Sequence, residues 1–248
     1  MNAFTATSKN TYKKILGHKK YKVFFIISCL LVLFFTVFTK GGMRLNIGPL
    51  SYSFANGAFL ALSVLGAVIL PLLSFMLGAD MYASELSDHT IKNELLRPVG
   101  KVKLYFAKLT GILYYCITIL LASFVICTAV SVFGRWADKL VIIFFAHIMS
   151  ILLCCVFITF SSLIAVWTAN SSLSMFLCIL IYIALTVFSN LFTTFGAISF
   201  TGYFSWFKMI MGSTIPWRNV FVTLGLLLSY TGVFSVTGQL LFDRRNAS

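Results

Sequence analysis

The residues best able to do chemistry in this chain are concentrated between Asp80 and Lys108. This charged segment holds four of the six acids and five of the nineteen Lys and Arg residues, although apolar sequence flanks it on both sides. The flanking runs have the composition of membrane spans, so the charged segment must lie in water beside a bilayer. We interpret it as a contact site for a soluble partner. The alternative is a solvated loop whose lysines only fix the topology.

The charged segment has the pattern of a short helix followed by a turn. Residues 85–88 can open a helix, because acids are favourable near the positive end of the helix dipole. Ile91, Glu94 and Leu95 recur at helical spacing, which gives one apolar and one charged face. Pro98 then ends the helix. The pattern predicts an amphipathic helix parallel to the membrane and a sharp turn into the next span.

The remaining sequence contains no known catalytic or nucleotide-binding pattern. It has no His-Glu-x-x-His metal pair, no Gly-x-Ser-x-Gly turn and no paired intramembrane aspartates. Gly100-Lys101 resembles the end of a phosphate-binding loop, but Leu95 stands where that loop needs Gly and Val102 where it needs Ser or Thr. We therefore expect a chain that is not an enzyme, holds no metal, and takes its energy from a partner.

Ion-coupled transport also lacks its usual residues. Carriers of that kind commonly place an ionisable residue within the bilayer, yet no Asp, Glu, Lys or Arg lies deep in a predicted span. His147 is the one imidazole well inside a span. We interpret it as a hydrogen-bonded packing residue, with a proton relay as the alternative. The six cysteines all fall in predicted spans without metal-ligand spacing, and are expected to be small buried residues.

The elements that position these residues are membrane helices. The chain is 60% hydrophobic and 10% charged, with a mean hydropathy of +0.98, whereas soluble domains have about 25% charged residues. About 20 apolar residues cross a bilayer as a helix, and barrel strands would alternate. The sequence predicts an all-α membrane protein with six transmembrane helices, at about 23–39, 59–79, 109–133, 141–167, 173–195 and 219–241.

The net charge of +13 is explained by topology. If the N-terminus is cytoplasmic, thirteen Lys and Arg residues lie inside and six outside, as the positive-inside rule favours. We expect a multi-pass protein of the cell membrane with both termini in the cytoplasm. The excess charge suits anionic membrane lipids, and no nucleic-acid partner is expected.

Two segments outside the spans have their own character. Residues 1–22 combine lysines with apolar residues at helical spacing, which predicts a basic amphipathic helix on the inner leaflet, with a disordered tail as the alternative. We expect residues 23–248 to form a single six-helix transmembrane domain. Residues 196–218 are too apolar for a solvated loop and too interrupted to span, so we predict a re-entrant or interface-lying hairpin rather than a simple long loop. Its marker residues are Tyr203, Trp206, Lys208 and Trp217.

The charged segment resembles a known family. The resemblance to type-2 permeases of ATP-binding-cassette (ABC) exporters is carried by Glu85, Thr90, Leu95-Leu96, Arg97-Pro98-Val99 and Lys108. It departs at His89, where the family usually has Gly, and at Lys101, a basic residue one place late after the proline. The layout is also similar: a basic amphipathic N-terminus, six spans with both ends inside, and an apolar hairpin before the last span.

The resemblance implies a two-fold permease assembly driven by a separate subunit. Two copies of an ABC ATPase would bind ATP and magnesium, and a second permease copy or homologue would complete the pathway. The charged segment would act as the coupling helix, docking on the ATPase. Its contact residues would be Glu85, Thr90, Glu94, Leu95, Leu96, Arg97, Pro98 and Lys101.

The substrate is indicated only by the character of the spans. An apolar, aromatic path without fixed charge suits amphipathic or hydrophobic molecules, although Phe-rich helices ordinarily face lipid or core. The chain is similar to small permeases that export antimicrobial or toxin peptides, including those of lantibiotic-immunity type, and we predict that activity. A non-transporting immunity or sensor-anchoring protein, and an ion-coupled carrier, are the alternatives. The candidate path residues are Phe34, Phe59, Phe188 and Phe192.

Overall fold

The computed structural model describes residues 3–38, 43–47, 50–54, 57–88, 90, 100–133, 140–211 and 215–245. Within these residues, six helices are long and apolar enough to cross a membrane, which confirms the helical membrane fold and the number of spans. Spans one to six are Lys19–Phe38, Gly57–Ser87, Lys101–Phe133, Leu140–Thr168, Ser171–Leu191 and Trp217–Arg245.

Spans two and three extend further towards each other than the sequence predicted. Span two was predicted to end at residue 79 and span three to begin at 109, because charged residues interrupt the apolar runs there. The helices instead continue to Ser87 and start at Lys101. The prediction that Glu85 opens a separate helix is therefore wrong, since it lies in the last turn of span two. Both helices can continue through these charged residues because the charges are paired, Asp80 with Lys20 and Glu85 with Lys108. An unpaired buried charge would be costly at these positions.

Span two is the central helix of the bundle. Its side chains are buried on nearly all sides, whereas spans one, five and six expose most of theirs, as helices in contact with lipid would. Small residues allow close packing: a Cβ at Gly78 would lie 2.6 Å from the Ser161 hydroxyl oxygen in span four. The backbone of span two can therefore lie directly against span four.

Two π-helical stretches interrupt span two, at Leu65–Ile69 and Ala79–Ser84. The first ends two residues before Pro71, which cannot donate a backbone hydrogen bond and therefore weakens the helix at this point. The carbonyl four residues before it, that of Ala67, accepts a hydrogen bond from the Tyr182 hydroxyl of span five. Neighbouring helices thus compensate for the proline. Single-turn π segments inside α-helices are frequently found at functional sites.

The two ends of the bundle differ. The N-terminal helix, Ala3–Gly17, packs against span three at the end where spans two and three meet, which we call the basic end. At the opposite end, strands Met43–Ile47 and Leu50–Phe54 pair antiparallel, with Ile47 opposite Leu50. The sequence signal for this hairpin is the alternation of residue types on either side of Gly48-Pro49.

Gly78→Ala tests the close contact between spans two and four. The new Cβ would lie 2.6 Å from Ser161 Oγ and 3.1 Å from the Ser161 carbonyl carbon, so the spans must separate. We expect a loss of about 1–3 kcal/mol of stability, measured as a lower thermal unfolding temperature in detergent.

The matched control for this change is Gly225→Ala in span six. Nothing lies within 4 Å of the added Cβ there, so the replacement should stabilise the helix by up to about 1 kcal/mol. Equal effects of the two substitutions would contradict the packing of span two described above.

Candidate functional site

The most distinctive polar cluster joins three helices at the basic end. Glu85, at the end of span two, accepts a hydrogen bond from Lys14 of the N-terminal helix at 2.7 Å through Oε1. Its other oxygen, Oε2, forms an ion pair with Lys108 of span three. Glu85 is 5% exposed and Lys108 is 1% exposed. We call these three residues the Glu85 junction; one carboxylate fastens three separate elements.

A second cluster lies one and a half turns earlier in span two. The Asp80 carboxylate accepts a hydrogen bond from the Tyr21 hydroxyl and forms an ion pair with Lys20, both at the start of span one. The Tyr115 hydroxyl of span three donates to the Tyr21 carbonyl at 2.7 Å. We call Asp80, Tyr21 and Lys20 the Asp80 junction. It connects spans one and two as the Glu85 junction connects spans two and three.

The length of span two explains why these acids can be accommodated. Its 31 residues make a helix about 46 Å long at 1.5 Å per residue, whereas the hydrocarbon core is about 30 Å thick. About ten residues must therefore extend into the interface or beyond. Asp80 and Glu85 occupy one such end, where a charged pair costs less than it would at the centre of the bilayer.

The N-terminal helix is held by small polar residues. Its buried face consists of Ser8, Thr11 and Ile15, and the Ser8 hydroxyl donates to the Ala107 carbonyl at 3.1 Å. Gly111 makes the close approach possible, because a Cβ there would lie 2.7 Å from the Thr11 Cβ. This face is fitted to the surface of span three, while the lysines on the other face remain exposed.

Behind the Glu85 junction lies an aromatic cluster from spans two, three and six. The Tyr82 hydroxyl donates to the Tyr105 carbonyl at 2.8 Å, and the Tyr105 hydroxyl lies 2.9 Å from the Ser162 hydroxyl of span four. Phe242 of span six packs on both tyrosine rings, at 6.4 and 5.7 Å between centroids. Through this cluster, a displacement of the end of span two would also reach spans three, four and six.

The predicted coupling residues fall into two groups. Three of them are described, namely Glu85, Thr90 and Lys101. Glu85 is in the junction, and the hydroxyl of the exposed Thr90 donates to the Glu85 carbonyl at 3.3 Å. Lys101 begins span three. The others lie outside the described residues, namely Glu94, Leu95, Leu96, Arg97 and Pro98. The coupling helix predicted at about 85–96, with its turn at 97–100, thus remains a prediction beyond Thr90, and the end of span two and the start of span three flank it.

The apolar segment before span six enters the bundle at the opposite end. It contains a short helix, Thr193–Ile198, and two 3₁₀ turns, Phe200–Tyr203 and Trp206–Ile210. The Trp206 indole donates to the Met149 carbonyl of span four at 3.2 Å. Met149 is nine residues after the start of span four, so the segment reaches about 14 Å along that helix.

The four residues predicted to mark this segment have different environments. Trp206 is buried, Tyr203 is half-buried and donates to the Ala197 carbonyl at 2.6 Å, and Trp217 is 61% exposed at the start of span six. Lys208 is half-buried, and this burial lowers its pKa below the usual value. Trp206 is therefore the most deeply buried of the four, and Tyr203 packs partly against the same core cluster.

Of the four residues predicted for a substrate path, Phe188 and Phe192 stack on each other at 6.2 Å between ring centroids. Phe59 is 1% exposed and stacks on Phe207 of the apolar segment, so it belongs to the core rather than to an open wall. Phe34, Phe188 and Phe192 are about half exposed, on spans one and five and just beyond span five. These three can face lipid, substrate or another protein.

The contacts of His147 are those of a hydrogen-bonded packing residue. Its Nδ1 lies 2.8 Å from the Ile143 carbonyl, and its Nε2 lies 3.1 Å from the Ser123 hydroxyl of span three. The first bond requires a proton on Nδ1, and Nε2 can then accept from Ser123. Both ring nitrogens are thus satisfied by local partners. Within the described residues, no group of three or more metal-ligating side chains is close enough to hold a metal ion.

The partners that the N-terminal helix and span one contribute are Lys14, Lys20 and Tyr21, which the sequence pattern shows only as part of a basic amphipathic segment. The small, polar face of Ser8 and Thr11 is a signal that this helix docks on protein, because a lipid-facing surface would be apolar. Which of six lysines meets an acid could not be read from spacing, since the acids lie more than 50 residues away.

Comparison with known proteins agrees with the resemblance in the charged segment. A family model described as "ABC-2 family transporter protein" matches residues 2–247, which is nearly the whole chain. No curated protein matches the sequence. The family-level prediction is confirmed, while the peptide-exporting or lantibiotic-immunity subtype remains a prediction.

Glu85→Gln tests the strength of the Glu85 junction. The change removes the carboxylate that pairs with the buried Lys108 ammonium, and breaking a buried ion pair costs about 3–5 kcal/mol. Adding Lys108→Met should recover much of this loss, because removing both charges of a buried pair is often close to neutral. A double-mutant cycle on unfolding in detergent measures the coupling.

Asp88→Asn provides the control, because Asp88 is exposed and lies only three residues further along the chain. We expect its effect to remain within about 0.5 kcal/mol. If the double variant is as unstable as the sum of its two single changes, the ion pair does not hold the helices together.

Proposed function

Because the chain belongs to the ABC-2 transporter family, we propose that it is the permease subunit of an ABC exporter. Family membership supports a permease role in the membrane and association with an ABC ATPase in general. The finer proposal is that the chain moves an amphipathic or hydrophobic substrate out of the cell. A separate subunit hydrolyses the ATP and holds the magnesium, and the chain itself is not an enzyme.

The observation that carries this proposal is the position of the Glu85 junction. It fastens the N-terminal helix, the end of span two and the start of span three directly beside residues 89–99. A force applied to that stretch would act on both flanking helices at once. We therefore propose that residues 89–99 dock on the ATPase in the cytoplasm, with both termini on the same side.

Span two suits the role of transmitting such a movement. It runs from the Glu85 junction at one end to the apolar segment at the other, where Phe59 stacks on Phe207 and Ser63 lies 3.4 Å from Ser205. Its two π segments provide places where the helix can change register. Closure of two ATPase copies would in this way displace the end of span two and open the opposite side.

A second permease copy or homologue is part of the proposal. Spans one, five and six expose broad apolar faces, and Phe34, Phe188 and Phe192 lie on or beside them. A pathway between two subunits would be lined by such faces without fixed charge. That environment suits an antimicrobial or toxin peptide, whose apolar side chains would contact the faces, better than it suits an ion or a sugar.

Replacing Glu94 and Arg97 together by Ala tests the docking surface. We expect at least about a tenfold loss of affinity for the co-expressed ATPase, which corresponds to about 1.4 kcal/mol. Co-purification and the ATPase activity of the complex are the measurements. Arg135→Ala with Asp138→Ala is the matched control: it removes an acid and a base at the same spacing in the loop between spans three and four.

Unchanged complex formation and unchanged coupled ATPase activity in the Glu94/Arg97 variant would reject the docking surface. A loss of equal size in the Arg135/Asp138 control would place the effect on general folding instead. Failure of the wild-type chain to bind any ABC ATPase would favour a non-transporting immunity or sensor-anchoring role.

The substrate class is tested by stimulation of ATPase activity in the reconstituted complex. We expect cationic amphipathic peptides to stimulate hydrolysis severalfold more than lipids or small hydrophobic drugs, because their apolar faces match the exposed spans. Sugars and inorganic ions serve as negative controls. Stimulation by drugs or lipids alone would contradict the peptide proposal and leave the permease role intact.

A further inference from the structure

A cavity opens between the N-terminal helix, span one and span three at the basic end. Its volume is about 320 Å³, which lies at the lower end of the range of about 300–1,000 Å³ found for ligand pockets. Its walls consist of Tyr12 and Leu16 from the N-terminal helix, Phe25 and Ile26 from span one, and Tyr115 and Thr118 from span three.

The interior of the cavity is mostly apolar, although two tyrosines and a threonine line it. The Tyr115 hydroxyl donates to the Tyr21 carbonyl, and the Thr118 hydroxyl donates to the Tyr115 carbonyl, each at 2.7 Å. Both groups therefore turn their polar atoms towards backbone and present carbon to the cavity. Such a wall favours a hydrocarbon chain over a polar ligand.

The cavity has a cationic side. Lys22 lines it and is exposed, one helical turn before Phe25 and Ile26. The first 38 residues contain six lysines and no acid. In the part of the chain that the structure describes, carboxylates pair with two of these lysines, Lys14 and Lys20. The remaining four make this surface strongly positive: Lys9, Lys13, Lys19 and Lys22.

We propose that this cavity binds one anionic phospholipid, with an acyl chain against Phe25, Ile26 and Thr118 and the phosphate beside Lys22. Lys22 lies nearer the start of span one, at the basic end, than Phe25 and Ile26 do. The basic side and the apolar wall therefore follow one another as the headgroup and the acyl chain of a bilayer lipid do. The inference needs only a membrane-embedded chain and does not depend on export.

Other occupants fit this surface less well. A cationic peptide would meet Lys22, which pairs with no carboxylate among the described residues, and like charges repel. A second copy of this chain would bring the same lysines to the contact. An anionic headgroup instead gains from each lysine near it.

Native mass spectrometry of the purified full-length chain, titrated with phosphatidylglycerol or with phosphatidylcholine of the same acyl chains, tests the proposal. We expect one phosphatidylglycerol to remain bound in preference to phosphatidylcholine. Lys22→Gln should weaken its binding about fivefold, the contribution of one lysine beside an anionic headgroup. Thr118→Phe, which fills the cavity, should weaken the binding of both lipids.

Lys103→Gln is the matched control, because Lys103 is exposed on span three outside the cavity. Its phosphatidylglycerol binding should equal that of the wild type. Equal losses in the two lysine variants would overturn the proposal in favour of diffuse attraction, and so would equal binding of the two lipids by the wild type.

The Thr118 variant is compared with Thr118→Ser, which keeps the hydroxyl and adds no volume. Lipid binding that survives Thr118→Phe would place the acyl chain elsewhere and reject the site. Displacement of phosphatidylglycerol by a cationic amphipathic peptide, with tighter peptide binding in Lys22→Gln, would assign the cavity to substrate. A wild-type dimer that Thr118→Phe dissociates would assign it to a second copy.

Discussion

The burial of Glu85 against Lys108 is the interaction on which the basic end of the molecule depends. Each charge alone would be costly at 5% and 1% exposure, and each makes the other tolerable. Because the two residues belong to different spans, the pair fixes the distance between the ends of spans two and three. The same carboxylate also holds Lys14, so the position of the N-terminal helix follows from that of Glu85.

This arrangement leaves span two anchored at both of its ends. The helix is anchored by Asp80 and Glu85 at the basic end and by aromatic contacts with the apolar segment at the other. One π segment, Leu65–Ile69, lies between these anchors, and the other, Ala79–Ser84, contains Asp80 itself; the hydrogen-bond register is altered in both. A helix that is clamped at both ends can respond to a push at one end either by shifting as a unit or by changing register at a π segment.

The parts of this structure that the sequence predicts are those that depend on local pattern. Six apolar runs predicted six spans because the bilayer imposes their length, and mixed charge singled out the region of Glu85. The pairing of Lys14 and Lys20 with acids 71 and 60 residues away depends on packing, which no local pattern encodes. Span two was predicted too short for the same reason: Asp80 and Glu85 read as the end of a helix until their partners are known.

The N-terminal helix connects the ion-paired site with the proposed lipid site. One of its faces carries Ser8 and Thr11 against span three, with Lys14 beside it in the Glu85 junction, while Tyr12 and Leu16 on another face line the cavity. A rigid helix cannot tilt at one face without moving the other. A lipid that fills the cavity would therefore oppose any tilt that draws Lys14 away from Glu85. The surrounding bilayer would in this way influence how firmly the end of span two is held, because the Lys14–Glu85 pair joins the N-terminal helix to that end.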